Sequence, residues 1–295
     1  MIHSWFRLGA PYYAETRKTG ASVAVDFEIL SIRGVSAAII LALLWGLEVA
    51  WPLIGARARR GEHYARNIVL GIVNALIVAV LFSAGLLLAS EFAREQSIGL
   101  LNWVTLPVVL QWVLAIILFD AWQYAWHVMN HRVPLLWRFH AVHHSDAEMD
   151  ASTALRFHTG EIALSALARM AVLPVLGLSM VQLAVYELLL LPIIMFHHSN
   201  VAVPAKLDRR LRAVIVTPWM HWVHHSDYRP ETDSNYSSIF SVWDRVFGTF
   251  RLRDDLRQIQ IGLKGFQDAE WRPLRGIIAI PFIHKFIKAE TITDR

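Results

Sequence analysis

Long apolar runs separated by short polar stretches set the pattern of this 295-residue chain. Val35–Ile54 is apolar apart from Glu48, Asn67–Ala89 carries no charge, and Thr105–Trp126 carries only Asp120. Runs of about 20 residues, at about 1.5 Å of rise each, match a hydrocarbon layer about 30 Å thick. Asn67–Ala89 has no polar face to turn to water, so these runs predict membrane-spanning helices. A fourth run, Ile162–Phe196, is too long for one simple crossing. Pro174 and Gly177 interrupt it and predict a hairpin of two shorter helices, with Arg169 and Glu187 inside its halves. From about Val201 the pattern becomes mixed and predicts a cap outside the apolar bundle. Ile277–Ile287 is apolar but too short to span, which fits an interfacial anchor or packing against the cap.

Composition agrees with the pattern. Apolar residues make up 55%, charged residues 18%, and mean hydropathy is +0.40. The 12 tryptophans suit a protein with belts at the membrane surfaces. Cysteine is absent, which excludes disulfides, Cys-ligated zinc, iron–sulfur clusters and thiolate-ligated haem in this chain. Residues 1–30 show scattered charges and no uninterrupted apolar stretch of the kind a cleavable signal peptide needs. The net charge of +4 comes without a basic stripe, so no nucleic-acid partner is expected.

Charge between the runs sets an orientation. Gly55–Arg66 holds Arg57, Arg59, Arg60 and Arg66 against Glu62 and is expected in the cytoplasm. Ser90–Val104, with Glu91, Glu95 and Arg94, is expected on the far side. The third helix then returns to the cytoplasm, where Arg132, Arg138 and Arg156, and later Lys206, Arg209, Arg210 and Arg212, also fall. The expected fold class is all-α: a multi-pass transmembrane helical bundle with a cytoplasmic, histidine-rich helical cap. The expected divisions are N-terminal transmembrane helices over 1–110, a site-bearing domain over 111–255 with its hairpin at 162–196, and an interfacial or cytoplasmic tail over 256–295.

Histidine carries the chemistry. Eleven of the 14 histidines lie between His127 and His225, and most fall in His127-Val-Met-Asn-His131, His140-Ala-Val-His143-His144 and His221-Trp-Val-His224-His225. Residues at i, i+3 and i+4 share a helix face, so each group presents two or three imidazoles together. Neutral imidazole is the commonest protein ligand of transition metals. By topology all three groups fall on one membrane face. His158, at the mouth of the hairpin, and His198, at its end, raise the set from eight to ten, with His197 as an alternate. Ten imidazoles suit two metals with about five nitrogens each, whereas structural zinc takes four ligands. Asp120, Tyr124, His127 and His131 share a stripe on the third helix. A carboxylate there is expected to orient a ligating ring by accepting its second N–H.

The motifs resemble the fatty acid hydroxylase superfamily, also called the sterol desaturase family, over about Leu118 to Leu252. Phe119 to Arg132 looks like its first histidine box, Leu136 to Ser145 its second, and Thr217 to Ser226 its last. Asn235-Tyr236 and Trp243 to Thr249 are similar to the family tail, and His198-Ser199-Asn200 to a further motif. Arg156-Phe157-His158 resembles an Arg-Phe-His-Pro-x-Glu element of bacterial members, with Thr159 in place of proline and Glu161 kept. The resemblance implies a membrane-bound di-iron enzyme that uses O₂ and two external electrons to hydroxylate or desaturate a lipid C–H bond. Zinc is an expected substitute in purified protein. Cleavage of a glyceryl-ether lipid is the alternative, and a metal transporter or storage protein is the alternative outside enzymes. Ligands are expected at His127, His131, His140, His143, His144, His158, His198, His221, His224 and His225. Asp120, Tyr124, Glu161, Asp227 and Asn235 are expected around them. No iron–sulfur, dinucleotide or haem motif is present, so a ferredoxin or a cytochrome with its reductase is the expected donor. The expected location is multi-pass in the membrane, the inner membrane for a bacterial member.

Overall fold

The structure, a computed structural model, describes residues 21–55, 59–266 and 268–283, with side chains from 32 onward. Arg57, the stretch 1–20, and the part of Ile277–Ile287 beyond 283 lie outside the described residues.

Among the described residues the fold is helical throughout, with three isolated β-bridges and no sheet. Five helices are long and apolar enough to cross a membrane. The first, α1 (Ala21–Ala50), stops before the expected end at Ile54. Pro52 cannot continue a helix; it pairs instead with Val201, and the Leu53 amide donates to Asn200 O at 2.9 Å. The second crossing is longer than the expected Asn67–Ala89. It runs through α2 (Arg60–Ile77), a π-helical turn (Val78–Phe82) and α3 (Ser83–Glu95), 36 residues or about 54 Å. That exceeds a bilayer core by several turns. The surplus lies in the cap: Asn67 donates to Ser152 Oγ (3.0 Å), and Asn74 donates to Phe157 O (2.8 Å).

The third crossing, α4 (Val108–Arg132), ends because Val133 precedes a proline and is extended, with φ −94° and ψ 116°. Pro134 then opens α5 (Pro134–His144) at a position that needs no N–H. The hairpin is α6 (Thr159–Leu176) and α7 (Met180–His198). Gly177 ends α6 with φ 73°, a left-handed conformation suited to glycine. Ser179 and Gln182 form a reciprocal capping box that starts α7. The loop before α4 packs so closely on this turn that a Cβ on Gly99 would lie 2.3 Å from Pro174 O. Arg169 and Glu187 pair across the hairpin at 2.7 Å, and Arg33 of α1 adds a second cation to Glu187 at 2.6 Å.

The cap holds the short helices α8 (Ala205–Leu211), α9 (Pro218–His224), α10 (Arg229–Thr232), α11 (Val242–Val246) and α12 (Leu274–Ala279). Ile277 and Ile280 are fully buried with Leu70, Trp137, Ala141 and Val142. Over its described part the Ile277 segment therefore packs one face inside the cap and leaves Ile278 and Phe282 exposed. Another core joins Leu86, Leu101, Phe119, Leu173, Leu183 and Tyr186 of the bundle with Ile239. Large apolar side chains on the outer faces of the crossings, such as Val80 at 77% exposure, are the surface a hydrocarbon layer covers.

Candidate metal centre

Nine histidines converge in two groups at the cap end of α4 and α7. His127, His131, His140, His144 and His224 form the first; His143, His198, His221 and His225 form the second. Within each group one nitrogen per residue lies within 4.8 Å of the others. Each H-x-x-H-H box is therefore divided between groups rather than serving one. Helical turn explains the division: i+4 is offset by about 40° one way and i+3 by about 60° the other. His140 and His144 thus point together and His143 apart; His221 and His225 point together and His224 apart. Adjacent rings of the two groups touch, His144 lying on His225 with centroids 4.4 Å apart.

The first group is arranged to present lone pairs inward. His127 Nδ1 donates to Tyr236 O (2.8 Å), His224 Nδ1 to Ser234 O (2.7 Å), His140 Nδ1 to Glu161 Oε1 (2.7 Å), and His131 Nδ1 to Asp233 Oδ1 (3.3 Å). Each Nε2 of these four rings is buried with no partner, as are both nitrogens of His144. Fixing the far N–H on an oxygen is how proteins set the tautomer and angle of a metal-binding imidazole.

In the second group the ring nitrogens crowd one another. His198 Nε2 lies 3.1 Å from His143 Nε2 and 2.9 Å from His221 Nε2, and His221 Nε2 lies 3.2 Å from His225 Nε2. His198 Nδ1 donates to Ile194 O at 2.6 Å, while Nδ1 of the other three is orphaned. A neutral imidazole has one N–H. Whichever nitrogen bears it on His221 and His225, at least one buried N–H lacks an acceptor, a costly state for four rings with no other role. A cation accepting all four lone pairs removes the conflict. For a metal–nitrogen bond of about 2.1 Å, right-angled ligands lie about 3.0 Å apart and tetrahedral ones about 3.4 Å. The observed spacings match the former.

Electrostatics agree. Burial, with neighbouring imidazoles adding to it, holds His143, His144, His221 and His225 well below the ordinary range, and burial holds His224 down to about 3. These rings are neutral near pH 7, and no proton must leave before a metal enters. Packing fixes them further: Phe157 stacks on His143 at 4.5 Å, and Trp137 stands 5.0 Å from His131 and 5.4 Å from His144.

Other expected residues lie elsewhere. His158 stands outside both groups and caps α6, its Nδ1 accepting the Gly160 N–H at 2.9 Å. That fixes its proton on Nε2. His197 is in neither group, though its ring is 4.0 Å from His221 and both its nitrogens are unpartnered. Asp120 touches no imidazole. Its carboxylate accepts from Tyr186 Oη, Trp243 Nε1 and the amides of Ile239 and Phe240, tying α4 to α7 and the cap. Tyr124 pairs with Thr249, and Asn235 bonds only to backbone, at Met220 and Arg251. Asp227 engages the cap through its amide, which donates to Gln260 O.

Sequence reasoning missed Asp233, and it missed His63 altogether. His63 on α2 lies between Asp150 (2.7 Å) and Asp146 (2.9 Å), the latter two residues after His144. Both its nitrogens face carboxylate oxygens, so the ring donates from both and is an imidazolium. Arg156 completes this cluster, donating to Val142 O and Ser145 Oγ at the end of α5. A lone histidine on α2 gave no signal, because its partners are 83 and 87 residues away.

These features define a multi-pass membrane protein with two adjoining buried histidine groups that could each hold a metal ion. Residues 112–249, a little under half of the chain, match the fatty acid hydroxylase family, which supports the resemblance to the fatty acid hydroxylase/sterol desaturase superfamily. It is 28% identical over 218 residues to alkylglycerol monooxygenase of Homo sapiens, covering 72% of this chain and 46% of that protein. Identity to cholesterol 25-hydroxylase of Rattus norvegicus is 24% over 204 residues, with 63% and 65% covered. For ornithine lipid hydroxylase OlsE of Rhizobium tropici it is 28% over 162 residues, with 54% and 47% covered. The chain thus spans from under half to about two thirds of these relatives. No solved structure matches it.

Proposed function

We propose that the protein is a membrane-bound di-iron oxygenase that hydroxylates or desaturates a lipid C–H bond, with its site on the cytoplasmic face. The observation that carries this reading is the pair of buried histidine groups, five and four imidazoles, whose unpartnered nitrogens converge. Bound irons would supply O₂ activation and the oxidising power that an unactivated C–H bond requires. The chain contributes the rest. Nine neutral imidazoles leave the positive charge of the metals uncompensated, unlike the carboxylate-rich sites of soluble di-iron bundles. The nine form the proposed ligand set; His158 is assigned to capping α6 and His197 to the wall beside His221. Glu161 orients His140, and Asp233 orients His131. Burial of the rings keeps water from the reacting centre.

The oxygen balance needs two electrons and two protons: RH + O₂ + 2e⁻ + 2H⁺ gives ROH and H₂O. The chain has no cysteine to ligate a cluster, so a separate carrier, a ferredoxin or a cytochrome with its reductase, is assigned as donor. A glyceryl-ether lipid is the second substrate reading, favoured by the 72% of this chain that aligns with alkylglycerol monooxygenase. Metal analysis and Mössbauer spectroscopy of anaerobically purified protein, with lipid products resolved by mass spectrometry, test the proposal. Absence of bound iron with full activity in His143→Ala would overturn it. Turnover of an ether lipid but not of sterols or fatty acyl lipids would select the second substrate.

A further inference from the structure

Two cap segments carry surface charge of one sign. Between 201 and 216, and between 237 and 250, the acidic residues are Asp208 and Asp244, both fully buried. Asp208 is closed by Arg212 and Thr217; Asp244 accepts from Thr249 Oγ1 and the amides of Tyr236 and Ser237. The exposed charges are Lys206, Arg209, Arg210 and Arg245. Lys206, Arg209 and Arg210 have no ion-pair partner among the described residues. Beside them stand exposed apolar side chains: Val214 (60%), Val246 (63%) and Phe247 (61%), with Leu207 and Val242.

The two segments are one unit. Ile215 bridges to Phe240, the Val216 amide donates to Ile239 O, and the Ser241 amide donates to Val214 O. Their position along the bundle is fixed by Asp120 and Tyr186, to which Ile239, Phe240 and Trp243 are joined. About 18 Å of helix separates Asp120 from the end of α4, and the same rise separates Tyr186 from the end of α7. At that level Ile239 shares a core with Leu173 and Leu183 of the hairpin. This part of the cap therefore lies beside membrane-spanning segments, further along the bundle from the histidine-bearing helix ends. Water at that level would face valine and phenylalanine; acyl chains would not leave them exposed to a polar phase.

We infer that residues 205–214 and 239–247 form an interfacial wedge that docks on anionic phospholipid. Val214, Val242, Val246 and Phe247 enter the acyl region of the leaflet on the histidine side, and Lys206, Arg209 and Arg210 meet lipid phosphates at its surface. The inference rests on the crossings being membrane-spanning and not on the reaction proposed above. It also assigns a side to the site. Phe247 stacks on Tyr124 at 5.1 Å, Tyr124 meets Tyr236 edge-on, and Tyr236 touches His127, His131 and His224. His127 alone in the two groups is not fully buried. The wedge thus holds the one accessible edge of the first group toward the bilayer.

The absence of cysteine gives a direct test. Val246→Cys in the full chain carries a single nitroxide label, read in nanodiscs of phosphatidylcholine with a third phosphatidylglycerol. Greater collision with O₂ than with a water-soluble nickel chelate is expected; the reverse places the label in water and overturns the inference. Separately, phosphatidylglycerol is titrated against the protein in phosphatidylcholine nanodiscs. Each cation near an anionic surface contributes about fivefold in affinity. The triple variant Lys206→Gln, Arg209→Gln, Arg210→Gln should then bind this lipid about a hundredfold more weakly, while keeping its metal content and its melting temperature in phosphatidylcholine. Equal binding by the two proteins overturns the inference. So does a label in water together with triple-variant loss of binding to an acidic plant-type ferredoxin, which would make the surface a protein-docking face. Neither readout needs turnover, so failure here is distinct from failure of the oxygenase reading.

Discussion

Replacing Glu161 tests how the first histidine group is held. Its Oε1 accepts the His140 Nδ1 proton at 2.7 Å, and both side chains are buried. A buried hydrogen bond to a charged group is worth about 1.5–3 kcal/mol. If that energy serves to align His140, its loss weakens metal binding at the first group about 10- to 100-fold, the range found for partners of metal-bound histidines. Glu161→Gln keeps an acceptor oxygen without the charge and should fall near the lower end. Glu161→Ala should fall near the upper end. Competition against a chelator of known affinity measures both, with the second group as internal reference because Glu161 contacts none of its members. Glu161→Ala with wild-type affinity at both groups would refute the argument that the carboxylate orients His140. An equal loss at both groups would mean that the substitution disturbs the cap as a whole.

Four further outcomes follow from the same geometry. Asp120→Ala should lower folding stability by about 3 kcal/mol, since four donors lose one carboxylate, while metal per folded chain stays unchanged; thermal unfolding with metal analysis checks both. His158→Asn, which keeps a side chain able to cap α6, should retain two metals and wild-type stability to within about 1 kcal/mol; loss of one metal would restore His158 to the ligand set. His63→Leu, which strands Asp146 and Asp150 without their cation, should cost about 3–5 kcal/mol of stability, read in a denaturation series. For the metal-free protein, imidazoles such as His224, held down to about 3 when folded, bind more protons once unfolded, where the value is about 6.5. The contribution of these rings to stability is therefore full above about pH 6.5 and falls as pH drops from there toward 3. Metal binds only the folded form, so loading should move acid unfolding to lower pH.

The crossings and the histidine groups were legible because each is written locally. Apolar runs such as Asn67–Ala89 declare a helix without a water-facing side, and H-x-x-H-H declares imidazoles on adjoining turns. What the sequence hid was relational. The i+3 and i+4 positions diverge enough to feed two sites once a second box approaches from α9, and nothing local to α5 reveals that approach. Asp120 reads as a partner for His127 on the same helix, yet Tyr186 and the Ile239–Trp243 segment, 66 and more than a hundred residues on, supply the four donors its carboxylate meets. His63 and Asp233 depend on contacts of the same long range. The length of the second crossing was hidden for another reason. Its first turns carry Arg60, which pairs with Glu48 of α1, and His63, which pairs inside the cap, so hydropathy marked only the stretch from Asn67 on.

The division of nine histidines into two sites is tested most directly by counting irons. Anaerobically reconstituted wild-type protein should hold two irons per chain by metal analysis and ⁵⁷Fe Mössbauer spectroscopy. His143→Ala, which removes a member of the second group alone, should lose one iron and keep the signal of the other. Two irons retained in His143→Ala, or a single iron in the wild type, would contradict the two-site arrangement.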